Sequence, residues 1–281
     1  MSNIIQSLPP KPTEALIALS TYRFLTVKQF VKLGIGASEA SVRKNILPKL
    51  NRSRKPLAKK RKLGQFLPEV HYLTDHGAKY LAELYRLPIE DFPYPKGQVQ
   101  FSDTLAHHRF AQVDFHIGFR KWADNHPETE ILFADMDFDV TGSRRQGTFI
   151  SKTELRVPHS NTPIIPDGMF GIDQNGSPMI YALEVHRTTE TKRVIAQIKR
   201  YMEVLETGAG ASKYGLETSP LICSVHMKAN VLKGVKSALV RTPRFETFKG
   251  AFLFNTFENV KNDLTKGWTF ADEKPAYPFN K

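Results

Sequence analysis

Ile164-Ile165-Pro166-Asp167-Gly168-Met169-Phe170-Gly171-Ile172-Asp173-Gln174-Asn175-Gly176-Ser177-Pro178-Met179-Ile180-Tyr181-Ala182-Leu183-Glu184-Val185-His186 is the stretch that decides the fold. Two apolar, strand-like runs flank Asn175-Gly176, and an Asn-Gly pair supplies the two positive-φ positions of a tight hairpin turn. A two-residue loop pairs 174 with 177 and 172 with 179, so Asp167 falls opposite Glu184. Directly opposed side chains have Cβ atoms about 5 Å apart. His186, two residues beyond Glu184, shares its face. Two carboxylates and an imidazole therefore converge at one end of the hairpin, a start on a divalent-cation site. A four-residue loop keeps this face, whereas a three-residue loop puts the carboxylates on opposite faces.

Downstream lie Arg187-Thr188-Thr189-Glu190 and, on the next helix, Gln197-Ile-Lys-Arg-Tyr201. Pro-Asp, a hairpin and Glu-x-basic resemble the motif of the PD-(D/E)xK nuclease-like superfamily, and Gln-x-x-x-Tyr resembles the element that follows it in RecB-type members. The fuller pattern, from Pro166-Asp167-Gly168 through Leu183-Glu184-Val185 to Tyr201, is similar to the replication-relaxation family and to MOBC-type plasmid mobilisation relaxases. The resemblance implies that Asp167 and Glu184 hold Mg²⁺ or Mn²⁺, with Gln197 and Tyr201 as accessory groups i, i+4 on one helix face. The lysine that assists the attacking water in that superfamily is His186 in this chain. His107, early in the preceding helix, is a further candidate by the same resemblance, with His108 beside it.

The charge is unevenly placed. Residues 43–62 carry Arg43, Lys44, Lys49, Arg52, Arg54, Lys55, Lys59, Lys60, Arg61 and Lys62 and no acid; without these ten, the formal net charge of +12 drops to +2. A field concentrated in one segment is the footprint of a polyanion-binding surface. Around it, a helix after Pro9-Pro10-Lys-Pro12 with Thr13 as N-cap, a second from Thr26 to Gly34, and a basic third from Ser38 toward Leu50 form a helix-turn-helix pattern. Leu57–Leu63 and Val70–Leu73 read as a wing whose first strand is basic, and Thr74 caps the next helix. Tyr72-Leu-Thr-x-x-Gly77 resembles the winged helix of the same replication-relaxation group. The expected DNA contacts are Arg43, Lys44, Lys49, Arg52, Lys59, Lys60, Arg61 and Lys62.

Pro88, Pro93, Pro95 and Gly97 mark an extended linker, giving a winged-helix domain over 1–87, a linker over 88–100 and a nuclease-like domain over 101–281. In the last, a helix capped by Ser102 or Asp103 runs to about Asp124, with Leu105, Phe110, Val113, Ile117, Phe119 and Trp122 as core candidates. A strand over 131–140 would place Asp135, Asp137 and Asp139 on one face as solvated edge charges. A polar excursion from Thr141 to Lys152, the hairpin, a helix from Thr188 or Thr189 to about Leu205 and the strand Leu221–Val225 follow. Ala229–Leu239 reads as a helix, Gly250–Phe254 as a last strand, and Asp263 onward, with Trp268 and Pro275-Ala-Tyr-Pro278, as a tail packing on the surface. The fold class is mixed α/β (α+β): an N-terminal winged helix-turn-helix and, by resemblance, a restriction-endonuclease-like αβββαβ core.

The chain's composition, 41% apolar and 24% charged, is that of a globular protein, and no run approaches the roughly 20 apolar residues of a membrane span; a cytoplasmic location is expected. Cys223 is the single cysteine and reads as a buried thiol. The resemblance implies a metal-dependent strand-nicking relaxase acting on double-stranded DNA at a plasmid origin of transfer or replication, with accessory mobilisation or replication proteins as further partners. A non-catalytic initiator with an inactive nuclease-like core, and a restriction-type endonuclease cutting both strands, are the alternatives; the sequence leaves the DNA site and the oligomeric state open.

Overall fold

The first helix, α1 (Pro10–Tyr22), starts on a proline, three residues ahead of the expected Thr13 cap. Proline costs nothing there, because the first N–H groups of a helix have no intrahelical acceptor and the ring presets φ. Thr13 Oγ1 donates to Pro9 O instead. The computed structural model describes residues 8–52, 54–95, 103–142, 148–158, 160 and 162–279, without the side chains of 103 and 104. Within it the chain divides into two compact units, Met1–Val113 and Asp114–Lys281.

In the first unit, β1 (Leu25–Thr26) leads into α2 (Val27–Lys32), where Thr26 and Gln29 form a reciprocal capping box. Ser38 caps α3 (Glu39–Ser41). The helix then widens into a π turn over Val42–Ile46, in which Leu47 N–H donates to Val42 O, before resuming as α4 (Leu47–Asn51). Pro48 accounts for the widening. Inside an α-helix its ring would collide with the carbonyl four residues back and would leave that oxygen unpaired. The wing strands are β2 (Ala58–Arg61) and β3 (Val70–Leu73), and β1 adds a third, unexpected strand to give the order β1-β3-β2, all antiparallel. The Thr-x-x-Gly motif fastens the wing to α5 (Asp75–Tyr85). Thr74 Oγ1 accepts from Gly77 N–H at 3.0 Å and donates to Pro56 O at 2.7 Å. A Cβ at Gly77 would stand 2.1 Å from Leu57 O, so only glycine lets the wing approach this closely.

The helix α6 (Asp103–Asp124) spans the division between the units, later than the expected domain start at 101; Ser102 lies outside the described residues. Val113, Ile117, Phe119 and Trp122 are buried as expected, Phe110 is half-buried, and Leu105 is not core: it is 54% exposed, while its neighbour Ala106 takes the buried position.

The second unit is built on one mixed sheet with the order β10-β9-β8-β7-β4. β4 (Thr129–Met136), β7 (Gly168–Gln174) and β8 (Ser177–His186) form an antiparallel meander. β9 (Leu221–His226) and β10 (Phe252–Thr256) continue parallel to β8. Between β4 and β7 the short pair β5 (Val140–Thr141) and β6 (Ile150–Ser151) closes the polar excursion, of which 143–147 lie outside the described residues. The crossovers run through α7 (Thr191–Thr207) with α8 (Ala209–Tyr214), and through α9 (Ala229–Leu239) with α10 (Pro243–Glu246); α11 (Phe257–Asn262) follows β10. The order of α6, β4, β7, β8, α7 and β9 is the expected α-β-β-β-α-β.

Two expectations fail here. The strand over 131–140 stops at Met136, because Asp139 Oδ2 accepts from Met136 N–H at 3.0 Å and Asp139 N–H donates to Met136 O at 2.8 Å, closing a turn at 137–138. Asp135, Asp137 and Asp139 therefore do not share a strand face. Nor is the C-terminal segment a surface tail. Trp268 and Phe279 are buried, and the Phe279 ring sits 5.0 Å from Tyr181 and 5.4 Å from Trp122, inside the aromatic core of one sheet face. Rings so far apart in the sequence share no periodic signal, so this packing is tertiary information. The opposite face carries a second cluster, in which Met169, Ile180 and Ala182 group with Ile198 and Met202 of α7, Val235 of α9 and Phe252 and Phe254 of β10.

Candidate functional site

The hairpin turn is the two-residue kind. Asn175 has φ 53° and Gly176 φ 79°, and Gly176 N–H donates to Asp173 Oδ1 at 2.6 Å. The register follows as far as the strand runs: Gln174 pairs with Ser177, Ile172 with Met179 and Gly168 with Leu183. Just beyond it Asp167 N–H donates to Leu183 O at 3.0 Å, so Asp167 and Glu184 meet at the hairpin end without forming a regular strand pair. Both residues continue the alternation of Met169 and Ala182, hence lie on the face that α7 covers. Asp167, Glu184 and His186 are all buried.

Each carboxylate is held. Asp167 Oδ2 accepts from Val185 N–H at 2.7 Å, and the chain before it is pinned where Thr153 Oγ1 donates to Pro166 O at 2.7 Å. Glu184 accepts from the Tyr201 hydroxyl and from Gln197, both on α7. Burial, and then the negative charge of Asp167, push the Glu184 carboxyl well above its ordinary 4.5, against the pull of Tyr201 and Gln197; Asp137 adds a smaller push. The same burial, together with Glu184, holds the Tyr201 phenol well above 10. Charge repulsion at this point is what a bound cation would relieve.

His186 heads a second chain of contacts. Its Nε2 lies 3.0 Å from Ser224 Oγ, which lies 3.0 Å from His226 Nε2, and the two imidazoles are 4.7 Å apart. Parallel pairing of β8 with β9 creates the chain by setting Glu184 beside Ser224 and His186 beside His226. Burial lowers His226 from 6.5 to about 4, so at neutral pH it is an uncharged ring that fixes the Ser224 hydroxyl, and through it the plane of His186.

His107 is not among the residues the hairpin brings together; it lies in the first unit, exposed on α6, its ring edge-on to Phe110. Three residues at or next to the site were missed in the sequence. Asp137 reads in the sequence as an edge charge, yet its N–H donates to Asp167 O at 3.2 Å and its carboxylate acts on Glu184. Ser224 and His226 sat in an ordinary apolar strand, and only the parallel register reveals them. Among the described residues no group of three or more His, Cys, Asp and Glu is arranged to hold a metal ion.

In the first unit Arg43, Lys44, Lys49, Arg52, Lys59, Lys60 and Lys62 are exposed and Arg61 is half-buried. Acids just outside the block answer two of them: Glu39 lies 3.7 Å from Arg43 and Glu69 3.0 Å from Lys60.

The titrations give the second unit opposing pH dependences. A histidine depressed from 6.5 to about 4 contributes stability that is fully present above 6.5 and is lost as pH falls to 4, about 3 kcal/mol for His226. Glu184, raised above 4.5, works in the other direction and weakens the fold as pH rises from there. Urea denaturation at pH 7 and pH 4.5 is therefore expected to show His226→Phe losing less stability on acidification than the wild type. Equal losses would remove His226 from the account.

The model of the family described as replication-relaxation matches residues 16–219, from α1 of the first unit to the segment before β9. No curated protein and no solved structure matches. Covering well over half of the sequence and both units, that match places the chain in the replication-relaxation family.

Proposed function

We propose that this chain is a plasmid relaxase: a metal-dependent protein that nicks one strand of duplex DNA at an origin of transfer or replication. Family membership suggests the setting, plasmid replication or relaxation and interaction with DNA. One observation carries the activity, the meeting of two buried carboxylates, Asp167 and Glu184, at one hairpin end, where the charge of the first acts on the second.

The two carboxylates suit Mg²⁺ or Mn²⁺ better than a metal that needs an all-protein cage. Mg²⁺ is commonly held by one or two carboxylates and completes its shell with water and substrate phosphates. When bound, such a cation polarises a phosphoryl oxygen and lowers the pKa of water. The protein's own part is positional. Val185 N–H and Thr153 aim Asp167, Tyr201 and Gln197 hold Glu184, and the Ser224–His226 chain holds His186 to orient a water or a phosphate oxygen. The basic helix and wing of the first unit supply affinity for the DNA backbone.

Nicking of supercoiled plasmid in Mg²⁺ or Mn²⁺, abolished by chelation, tests the proposal; linear product would favour a double-strand endonuclease instead. His186 in the position of a lysine favours a second reading, a DNA-binding initiator with an inert core. Duplex binding with no nicking at any metal concentration would establish it.

The assignment of DNA binding to the 43–62 block has its own test. Each phosphate neutralised releases condensed counterion, and log K falls with log salt by about 0.9 per contact. Replacing Lys59, Lys60, Arg61 and Lys62 together by Ala is expected to flatten that slope by roughly two to four units and to weaken all duplexes alike. A slope identical to the wild type's would take the wing out of the interface.

A further inference from the structure

Between β2 and β3 the wing turns at Gly64-Gln65-Phe66-Leu67, where Leu67 N–H donates to Gly64 O at 3.2 Å. Leu63, at the foot of the turn, is buried and anchors it. Phe66 occupies the third position of this turn and is 91% exposed, more than any other large apolar side chain among the described residues. Burying a phenylalanine ring stabilises a fold, and here the fold forgoes it. A single exposed aromatic on a surface is ordinary. This one differs in its setting: it sits on a hydrogen-bonded turn beyond a strand that exposes Lys59 and Lys60, the latter paired with Glu69, and is followed by the exposed Lys62.

We infer that Phe66 is an apolar wedge that enters a groove of duplex DNA and inserts between two stacked base pairs, kinking the helix. The inference rests on the DNA-binding reading of the first unit and assigns a role to a residue outside the basic block. Cations along β2 grip phosphates, while the ring at the tip meets what lies between the phosphate rails, the apolar faces of the bases. The hydrogen-bonded turn already fixes the backbone that carries the ring, so that part of the chain loses little freedom on contact. Partial unstacking costs free energy, and proteins that insert such wedges recover it through the surface that the bent duplex brings into contact. Pyrimidine–purine steps unstack most easily, so a TpA step is the favoured point of insertion. For a protein acting at an origin, a kink of this kind loosens the stack where a strand has to be exposed.

The test uses the full chain and a duplex of about 30 base pairs with a central TpA step and dyes at its two ends. Wild-type protein is expected to shorten the dye separation. Phe66→Ala should abolish the bend and weaken binding roughly 5- to 100-fold, the range of one lost base–aromatic stack, while leaving the slope of log K against log salt unchanged. Phe66→Trp should restore the bend and report on its own surroundings, since the chain's other tryptophans, Trp122 and Trp268, are both buried. Quenching of its emission on binding places the ring against bases. An unchanged bend and affinity within twofold in Phe66→Ala overturn the wedge while leaving DNA binding intact. Tighter binding to a single strand, with quenching and no bend, overturns it in favour of stacking on unpaired bases. A wild-type chain that binds no duplex rejects the DNA reading itself, a result visible before any variant is made.

Discussion

Nicking of supercoiled plasmid is expected to fall by about 10³-fold or more in Asp167→Asn and Glu184→Gln, since a Lewis acid supplies several kcal/mol of barrier lowering. Mn²⁺ binding measured by calorimetry is expected to disappear in parallel. The amide variants are more informative than alanine. Gln at 184 still accepts from the Tyr201 hydroxyl and, with the Gln197 amide turned over, donates to Gln197, while Asn at 167 still accepts from Val185 N–H. Each thus removes a charge without stranding a buried donor, a loss worth about 1–3 kcal/mol on its own. Each variant also removes the like-charge conflict that raises Glu184. Both should therefore melt no lower than the metal-free wild type at neutral pH. Metal affinity equal in all three proteins would reduce the pair to structural charge and take the proposed chemistry with it.

The second large effect concerns His186. His186→Ala is expected to slow nicking by roughly 10²–10⁴-fold, the range of a positioned acid–base group, with DNA affinity retained. His186→Lys should recover part of the rate, because an ammonium can hold a phosphate or water and Ser224 Oγ, 3.0 Å from the present ring, can accept from it. Were His186 a metal ligand, lysine would fail to rescue, since a protonated amine cannot coordinate, and metal affinity would fall in both variants. Nicking that ignores both substitutions would give His186 neither role. Only if Asp167→Asn were equally silent would the inert-core reading follow.

What could be read from the sequence divides by the range of the physics involved. Asn175-Gly176 encodes its own turn through two positive φ angles, and a turn of known length fixes the pairs behind it as far as Gly168 with Leu183. Hence Asp167 and Glu184 could be brought to one hairpin end without coordinates, though not the departure from the ladder at Asp167 itself. Thr26 with Gln29, and Thr74 with Gly77, are likewise local devices with local signatures. The π turn before Pro48 was legible in principle, since the proline sits inside an otherwise helical run, but the run's apolar spacing masked it. Asp137 was misplaced because alternation over 136–140 imitates a strand, whereas the Asp139 side chain folds it into a turn. Ser224, His226 and the burial of Phe279 depend on which strand or ring lies alongside, and nothing within a few residues of any of them records that.

The two-residue turn also constrains how this gene can change. Because strand neighbours alternate faces, an in-frame insertion or deletion of one codon at Asn175-Gly176 that leaves the two strands paired would send one carboxylate to the aromatic face of the sheet, while a change of two codons would keep both on the α7 face. Loop-length variation among descendants that retain the paired acids should therefore come in even steps. An odd step, where one occurs, should be matched by a compensating bulge in a neighbouring strand, as the shift between Ile131 and Phe133 in β4 shows this sheet can accommodate.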